Sequence, residues 1–389
     1  MPPAAPSERA LRVLVLGRRQ GLEAVLKERG IPFALWLEKP PPKLPSRRQV
    51  VVAPFARTRA AVEKALAPLQ GSAPFTHVIA SVESAVVAAS HARRVLGARK
   101  SAHTVARSCH DKLIMKRRLR DAGVPVTDFL DLNRPDERER TDELGRPLVL
   151  KDRVSSGSRG VEVVVDPALP ISNLRTRDRM AERFITGDEM SVESFVHEGV
   201  PVWTNTTRYW RPKHVNVVPA GLDPETEREV LELNRRALEA LSVRWGMTHL
   251  ELFLSSEGLL VGEVALRPPG GYIMRCLELA YDFDPWAAFC SVELGERPAL
   301  PSTPGRPTAV VVLHPGEGRV RRIAGLDDVC AHPAHVDTLL KVEVGSEVAA
   351  RVGIGEDIGR ALLQAESQNA LDEAIRFVEE RLVIEVSAE

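Results

Sequence analysis

Short apolar runs separated by amphipathic stretches open the chain. LRVLVLG (11–17) predicts a buried strand, residues 21–29 a short helix, and IPFALW after Gly30 a second strand. VVVA (50–53), an Ala-rich helix near 58–68, strand THVIA (76–80) and a helix over 84–95 continue the alternation. Strand and helix in turn imply a parallel sheet with crossover helices. KPPPKLP (39–45) reads as an extended connection. SCHDKLIMKRRLRDAGVP predicts a helix over 109–122, with Ser108 as N-cap, Gly123 just past the end and Pro125 beyond. From about 147 the pattern turns to strands and hairpins. Asp223–Pro224 open a long helix ending near Val243. A strand pair at 249–254 and 260–267 follows, then a helix near 274–294, and PALPSTPGRP (298–307) reads as a linker. In the last stretch Leu371, Ile375, Val378 and Leu382 share one helical face.

Composition narrows the classes. The 389 residues are 44% hydrophobic and 27% charged, which is globular and long enough to bury a core without disulfides or structural metal. Lys+Arg and Asp+Glu both number 53, so the basic excess of a nucleic-acid or anionic-membrane binder is missing. Cys109, Cys276, Cys290 and Cys330 lie at least fourteen residues apart, which excludes a CxxC-type site. A reducing cytoplasm fits. No apolar run reaches membrane-spanning length, MPPAAPSERA holds no signal-peptide core, and no GxGxxG follows the first strand.

Candidate chemistry starts with the hairpin HLELFLSSEGLLVGEVALR. With Ser256, Glu257 and Gly258 as the loop, Glu251 stands opposite Glu263. His249, Glu251, Phe253, Glu263, Ala265 and Arg267 then share one face, and Leu250, Leu252, Leu254, Leu260, Val264 and Leu266 the other. Like charges directly opposite repel, so a half-buried pair favours a cation between them, and hard oxygen ligands imply Mg²⁺ or Mn²⁺. The hairpin alone fits a solvated polar face equally well. In PLVLKDRVSSGSRGVEVVV (147–165) a strand ends at Lys151 and a Ser/Gly-rich loop runs to Gly160. Amides freed by Gly157 and Gly160, with Ser155, Ser156 and Ser158, can wrap phosphate oxygens while Lys151 and Arg159 supply charge. A plain flexible loop is the alternative. AERFITGDEMSVESFV (181–196) sets Glu182 and Glu189 on either side of a bend. Lys112 opens the predicted basic helix, and Arg211 with Lys213 forms a weaker basic pair.

Taken in order, DKLIMKRRLRDAGVPV, LVLKDRVSSGSRGVEVV, ERFITGDEMSVE and ELFLSSEGLLVGEVALRPPGG resemble the ATP-grasp superfamily over roughly residues 10–300. The likeness is to carboxylate–amine ligases of the L-amino-acid ligase and biotin-carboxylase-like groups. It implies an α/β fold in three parts: an N-terminal doubly wound parallel-sheet domain (1–107), an ATP-grasp core of two α+β lobes (108–300), and a small C-terminal α+β region (301–389). It implies that Lys112 and Lys151 contact nucleotide phosphates beneath the glycine-rich loop. Glu182, Arg183, Phe184 and Ile185 match the interlobe strand whose backbone reads adenine, and Glu189 the acid that binds ribose. Glu251 and Glu263 match two magnesium-binding acids, and Arg267 the arginine that steadies the reacting groups. Glu83 matches an acid often placed where the N-terminal sheet meets the site, with a packing role as the alternative.

One position departs from the family pattern. Where Asn often follows the second acid by two residues, this chain has Ala265. His249, opposite Ala265, is a further candidate ligand, with a hydrogen-bonding core histidine as the alternative. The resemblance implies ATP and Mg²⁺ or Mn²⁺ as cofactors and small-molecule carboxylate and amine substrates, with no nucleic-acid or membrane partner. Homodimers are frequent in the family. The expected activity is ligation through an acyl phosphate, giving ADP, phosphate and a dipeptide or amide. A non-catalytic ATP-binding protein and a bicarbonate-activating carboxylase are the alternatives. Trp210, Tyr272 and Trp286 are candidate substrate-pocket residues.

Overall fold

A computed structural model describes residues 10–41, 50–69, 71, 73–98, 102–166, 176–211, 214–353 and 355–387. Strands Val13–Leu16, Phe33–Leu37, Val50–Val52 and His77–Ala80 form a parallel sheet in the spatial order third, second, first, fourth. Its residues alternate between two apolar clusters. Val13 and Val15 join Leu22, Val25 and Leu26 of helix Gln20–Glu28, while Leu14 and Leu16 join Val62 and Leu66 of helix Arg59–Leu66 and Val86 of helix Val86–Leu96. Both faces are covered, which is why the first strand reads as an unbroken apolar run.

Two antiparallel sheets follow. The smaller takes Phe129–Asp131, Arg179–Arg183, Leu148–Asp152 and Glu162–Val164, in that order. The larger has eight strands: Gly258–Ala265, Trp245–Ser255, Gly187–His197, Val200–Arg211, Val215–Val218, Thr308–Leu313, Gly359–Gln364 and His335–Leu340. Strands after residue 300 therefore extend the sheet that carries the hairpin. Helix Gln368–Arg381 packs Leu371, Ile375 and Val378 on this extension, and a three-stranded sheet of Glu347–Val348, Gly318–Ala324 and Val383–Ser387 lies beside it. The architecture is the expected α/β arrangement of a doubly wound sheet, two α+β lobes and an α+β tail.

Three local readings change. The helix predicted over 109–122 is two helices, His103–His110 and Lys112–Asp121. Asp111 between them is extended, and its carboxylate accepts from the Leu113 and Ile114 amides at 3.1 and 3.3 Å. An anion at a helix start satisfies free amides and suits the positive end of the helix dipole, so Asp111 is the cap. Ser108 sits inside the first helix and donates to the Thr104 carbonyl at 2.7 Å. The helix predicted near 274–294 also divides, into Ile273–Tyr281 and Pro285–Leu294, because Asp284 caps a new start and Pro285 takes its first position.

The third change lies in the hairpin. Ser255 pairs with Gly258, so the turn has two residues, Ser256 and Glu257, rather than three. The pairing then shifts between Glu251 and Leu252, which leaves Gly262 as an unpaired bulge residue. Glu251 still faces Glu263 and His249 still faces Ala265. Leu260, however, pairs with Phe253 on the polar face, and Val261 takes the core position opposite Leu252. Val261 is accordingly fully buried.

Candidate active site

A cavity of about 650 Å³ lies between the two antiparallel sheets and is closed at one end by loops of the parallel sheet. The period of two puts a polar stripe on the floor. Glu263 and Ala265 stand beside Glu251 and His249, these beside Ser191 and Glu193, and these in turn beside Thr207 and Asn205. Glu251 and Glu263 are half-buried, and Lys112 Nζ lies 3.3 Å from Glu263 Oε1. The Lys112 ammonium also donates to the Ser155 carbonyl at 2.8 Å, which ties the helix start to the glycine-rich loop.

Lys151 reaches the cavity from the strand of the opposite sheet. Its Nζ lies 2.8 Å from Glu182 Oε2, and Lys116 Nζ lies 3.4 Å from Glu182 Oε1. Burial works to raise the Glu182 carboxyl, but the charges of Lys116 and Lys151, with hydrogen bonds from Lys151 and Thr127, outweigh it and hold it below its ordinary value. Burial lowers Lys151, yet Glu182 and the more distant Glu263 and Glu251 more than restore it, so its ammonium is held charged. Lys116 is wholly buried, and there desolvation prevails, bringing it down to about 8. Thus the Glu182 side chain is a buried counter-ion for two lysines, a role the sequence reading did not contain.

Sequence reasoning also missed Glu193. It is completely buried and accepts from Ser191 at 2.7 Å, Asn205 at 2.9 Å, Thr207 at 2.6 Å and His249 Nδ1 at 2.9 Å. His249 Nε2 lies 3.4 Å from both Glu251 Oε1 and the Tyr209 hydroxyl. Burial disfavours the imidazolium, but bonds to Glu193 and Glu251 prevail and raise its pKa. With both ring nitrogens engaged, His249 offers no lone pair to a cation. Its place is the hydrogen-bonding one, orienting Glu251 from Glu193. The signal was present as Glu189, Ser191 and Glu193 on alternate positions of one strand.

The glycine-rich loop covers the cavity. Gly157, Ser158 and Gly160 have φ of 65°, 61° and 71°. At Gly160 the positive φ favours glycine, and a side chain there would also have to displace the Asp152 carboxylate, 2.6 Å away. Gly160 lies at the rim, its carbonyl accepting from Arg179 Nη2 at 3.0 Å, and does not line the cavity. The other residues expected to meet nucleotide, metal or the reacting groups all do: Lys112, Lys151, Ser155, Ser156, Gly157, Ser158, Glu182, Arg183, Phe184, Ile185, Glu189, Glu251, Glu263 and Arg267. Val149, Val163, Phe184, Ile185 and Phe253 give one end a flat apolar lining suited to a heterocyclic base.

At the other end Arg267 Nε donates to Glu83 Oε2 at 3.2 Å, and Glu83 Oε1 lies 2.7 Å from His110 Nδ1. Burial works to raise Glu83, while His110, Arg267 and Lys112 hold it below its ordinary value. The aromatic candidates lie elsewhere. Trp210 is flanked by Arg208 and Arg376, Trp286 packs on Phe289, and the Tyr272 hydroxyl donates to Asp357 at 2.9 Å. Tyr209 is the tyrosine that lines the cavity. Arg211 pairs with Glu379 at 2.9 Å, and Lys213 lies outside the described residues. The carboxylates present can hold a hard cation: Glu251 and Glu263 oppose each other, and among the described residues no third His, Cys, Asp or Glu completes a closed cluster. Such a set suits Mg²⁺, which keeps water and phosphate oxygens among its ligands.

Comparison with known proteins gives the geometry its context. Residues 117–272 match the ATP-grasp domain. An L-arginine-specific L-amino acid ligase of Bacillus subtilis is 22% identical over 328 residues, covering 79% of either chain. The solved L-amino acid ligase of Bacillus licheniformis superposes with a TM-score of 0.79 at 18% identity, over 98% of this chain and 100% of that one. N5-carboxyaminoimidazole ribonucleotide synthetase of Thermotoga maritima superposes at 0.72 and 17% identity, over 97% and 100%.

Proposed function

Given that the chain carries an ATP-grasp domain, we propose that it is an ATP-dependent carboxylate–amine ligase that activates an amino acid carboxylate as an acyl phosphate. The observation that carries this reading is the convergence of Glu251, Glu263, Lys112, Lys151 and Arg267 on one cavity. The likeness to L-amino acid ligases supports it.

The chemistry asks for what the cavity holds. Resonance and negative charge protect a carboxylate carbon from attack. Transfer of the γ-phosphoryl group to a carboxylate oxygen breaks the bond to the ADP oxygen and leaves an acyl phosphate. An amine then attacks the carbonyl carbon, loses a proton and expels phosphate. The protein's part is positioning and charge neutralisation. Lys112, from a helix start, and Lys151, from the smaller antiparallel sheet, meet the phosphates, and Arg267 faces the transferring group and the carboxylate. Mg²⁺ or Mn²⁺ held by Glu251 and Glu263 would neutralise phosphate charge. His249, anchored by Glu193, keeps Glu251 turned toward that position. The loop 153–160 excludes water from an intermediate that water would destroy.

Ala265 favours a second reading, a nucleotide-binding protein without turnover, because an alanine offers no oxygen where the family often has one. ADP release with Mg-ATP, measured against amino acids singly and in pairs with mass detection, separates the two. Release that requires two partners and yields a condensed product supports the ligase. ATP binding without release under any pairing supports the binder.

A further inference from the structure

Two consecutive carboxylates of the C-terminal region, Glu356 and Asp357, each touch a different loop of the cavity without lining it themselves. Both stand just ahead of strand Gly359–Gln364, where Ile358 is held from two sides. Its amide donates to the Leu313 carbonyl at 3.0 Å, and its carbonyl accepts from the Lys341 amide at 2.8 Å. The large sheet therefore presents the two carboxylates from one fixed point.

Asp357 serves the loop after Arg267. Its side chain is buried and lies 2.6 Å from Lys341 Nζ, and it accepts from the Tyr272 hydroxyl at 2.9 Å. The Arg360 guanidinium lies over the Tyr272 ring, 5.2 Å from its centre. Tyr272 has φ of 62°, a conformation that a tyrosine keeps only where its surroundings hold it. It stands between Gly271 and Ile273, which both line the cavity. Glu356 serves the glycine-rich loop. It accepts from the Val352 and Gly353 amides at 2.9 and 3.1 Å, and from Arg159 Nη2 at 3.4 Å. A Cβ on Gly353 would lie 3.0 Å from the Gly157 carbonyl oxygen and 3.1 Å from the Arg159 side chain, so two backbones meet closely here. Gly157 and Arg159 line the cavity. The Arg159–Glu356 pair is exposed, at 51% and 38%, and is weak by itself. The close approach at Gly353, shaped by the Glu356 carboxylate, carries more of the contact.

We propose that Glu356 and Asp357 are positioning residues that clasp the glycine-rich loop to the Gly270–Gly271 loop, so that the cover over the phosphates seats in step with the carboxylate end. The consequence for turnover rests on the ligase reading. An acyl phosphate under a loosely seated cover meets water. Water attacks the carbonyl carbon, the bond from that carbon to the phosphate oxygen breaks, and carboxylate, phosphate and a proton are released. ATP is then spent without a condensed product. Coupling between two sites is commonly about fivefold or more, and it acts equally in both directions.

The test follows hydrogen exchange over residues 153–160 in wild type, Gly353→Val and Tyr272→Phe, with and without the magnesium complex of a non-hydrolysable ATP analogue. In wild type the analogue should slow exchange at least tenfold. Gly353→Val wedges the contact with Gly157 and should lose threefold or more of that protection. Tyr272→Phe keeps the ring beneath Arg360 and lies outside the glycine-rich loop, yet it should lose threefold or more as well. A purely local role for Tyr272 would leave the exchange of 153–160 unmoved. No slowing in wild type, or full slowing in either variant, would overturn the clasp. In turnover, ADP released per condensed product should stay near one in wild type and rise at least threefold in both variants; an unchanged ratio in both would overturn the role in excluding water. If no pairing of amino acids releases ADP, the ligase reading itself fails, and the exchange measurement alone decides on the clasp.

Discussion

Replacing Glu182 by glutamine probes the link between the fold and the nucleotide end of the cavity. Glutamine keeps the size and removes the charge that Lys116 and Lys151 share. Breaking a buried ion pair by removing one partner costs about 3–5 kcal/mol. Lys151 retains the fields of Glu263 and Glu251, which puts this substitution at the lower end, about 3 kcal/mol. With an unfolding entropy of about 2.1 cal/mol/K per residue, a chain of 389 residues shifts by roughly 1 °C per kcal/mol, so the unfolding midpoint should fall by about 4 °C. ATP affinity should fall with it, because Lys151 loses the bond that holds it in place. The effect should depend on pH. The Glu182 carboxyl is held below its ordinary 4.5, so its contribution is complete above that value and is lost as pH falls through the lowered native value. The gap between wild type and Glu182→Gln should therefore be full at pH 7 and narrow as the medium is acidified below pH 4.5. Urea unfolding at both ends of that range, with ATP titration at pH 7, measures it. A variant with wild-type midpoint and ATP affinity at pH 7 would refute the counter-ion role.

The remaining predictions concern turnover. Glu263→Gln should abolish ADP release while leaving the unfolding midpoint within a few degrees, since it removes charge at nearly constant shape; near-normal turnover would remove Glu263 from the metal-binding role. Arg267→Ala should lower kcat more than it raises the KM for ATP, because the charge it meets develops during transfer. A change confined to the KM for ATP would make Arg267 a ground-state nucleotide contact. Amides of residues 153–160 should gain protection from hydrogen exchange when Mg-ATP binds, and unchanged exchange there would argue against closure of the loop.

How far the sequence reached follows from where period and composition carry information. The parallel sheet was legible because both of its faces are buried and its strands read as apolar runs. The pairing of Glu251 with Glu263 was legible too, but through compensating differences: a two-residue turn in place of three, and a bulge at Gly262 that restored the register. A period of two cannot locate a bulge, so Leu260 and Val261 exchanged faces. The helix breaks at Asp111 and near Asp284 were hidden because the apolar pattern continues across them; a capping carboxylate alone marks the restart at Asp111, and at Asp284 the restart carries the same Asp–Pro pair that opens the helix after Asp223. The Glu193–His249 contact joins strands 56 residues apart, and the Glu182–Lys116 pair joins a strand to a helix distant in sequence, so neither follows from local pattern. Tyr209, rather than Trp210 beside it, lines the cavity for the same reason: strand register decides which neighbour points inward.

The central claim is that a carboxylate oxygen receives the γ-phosphoryl group. The most direct test uses an amino acid substrate pair with the carboxylate of the activated partner labelled with ¹⁸O, and mass analysis of the phosphate released on turnover with Mg-ATP. Activation through an acyl phosphate transfers one labelled oxygen into inorganic phosphate for each bond formed. Condensed product accompanied by unlabelled phosphate would contradict the account.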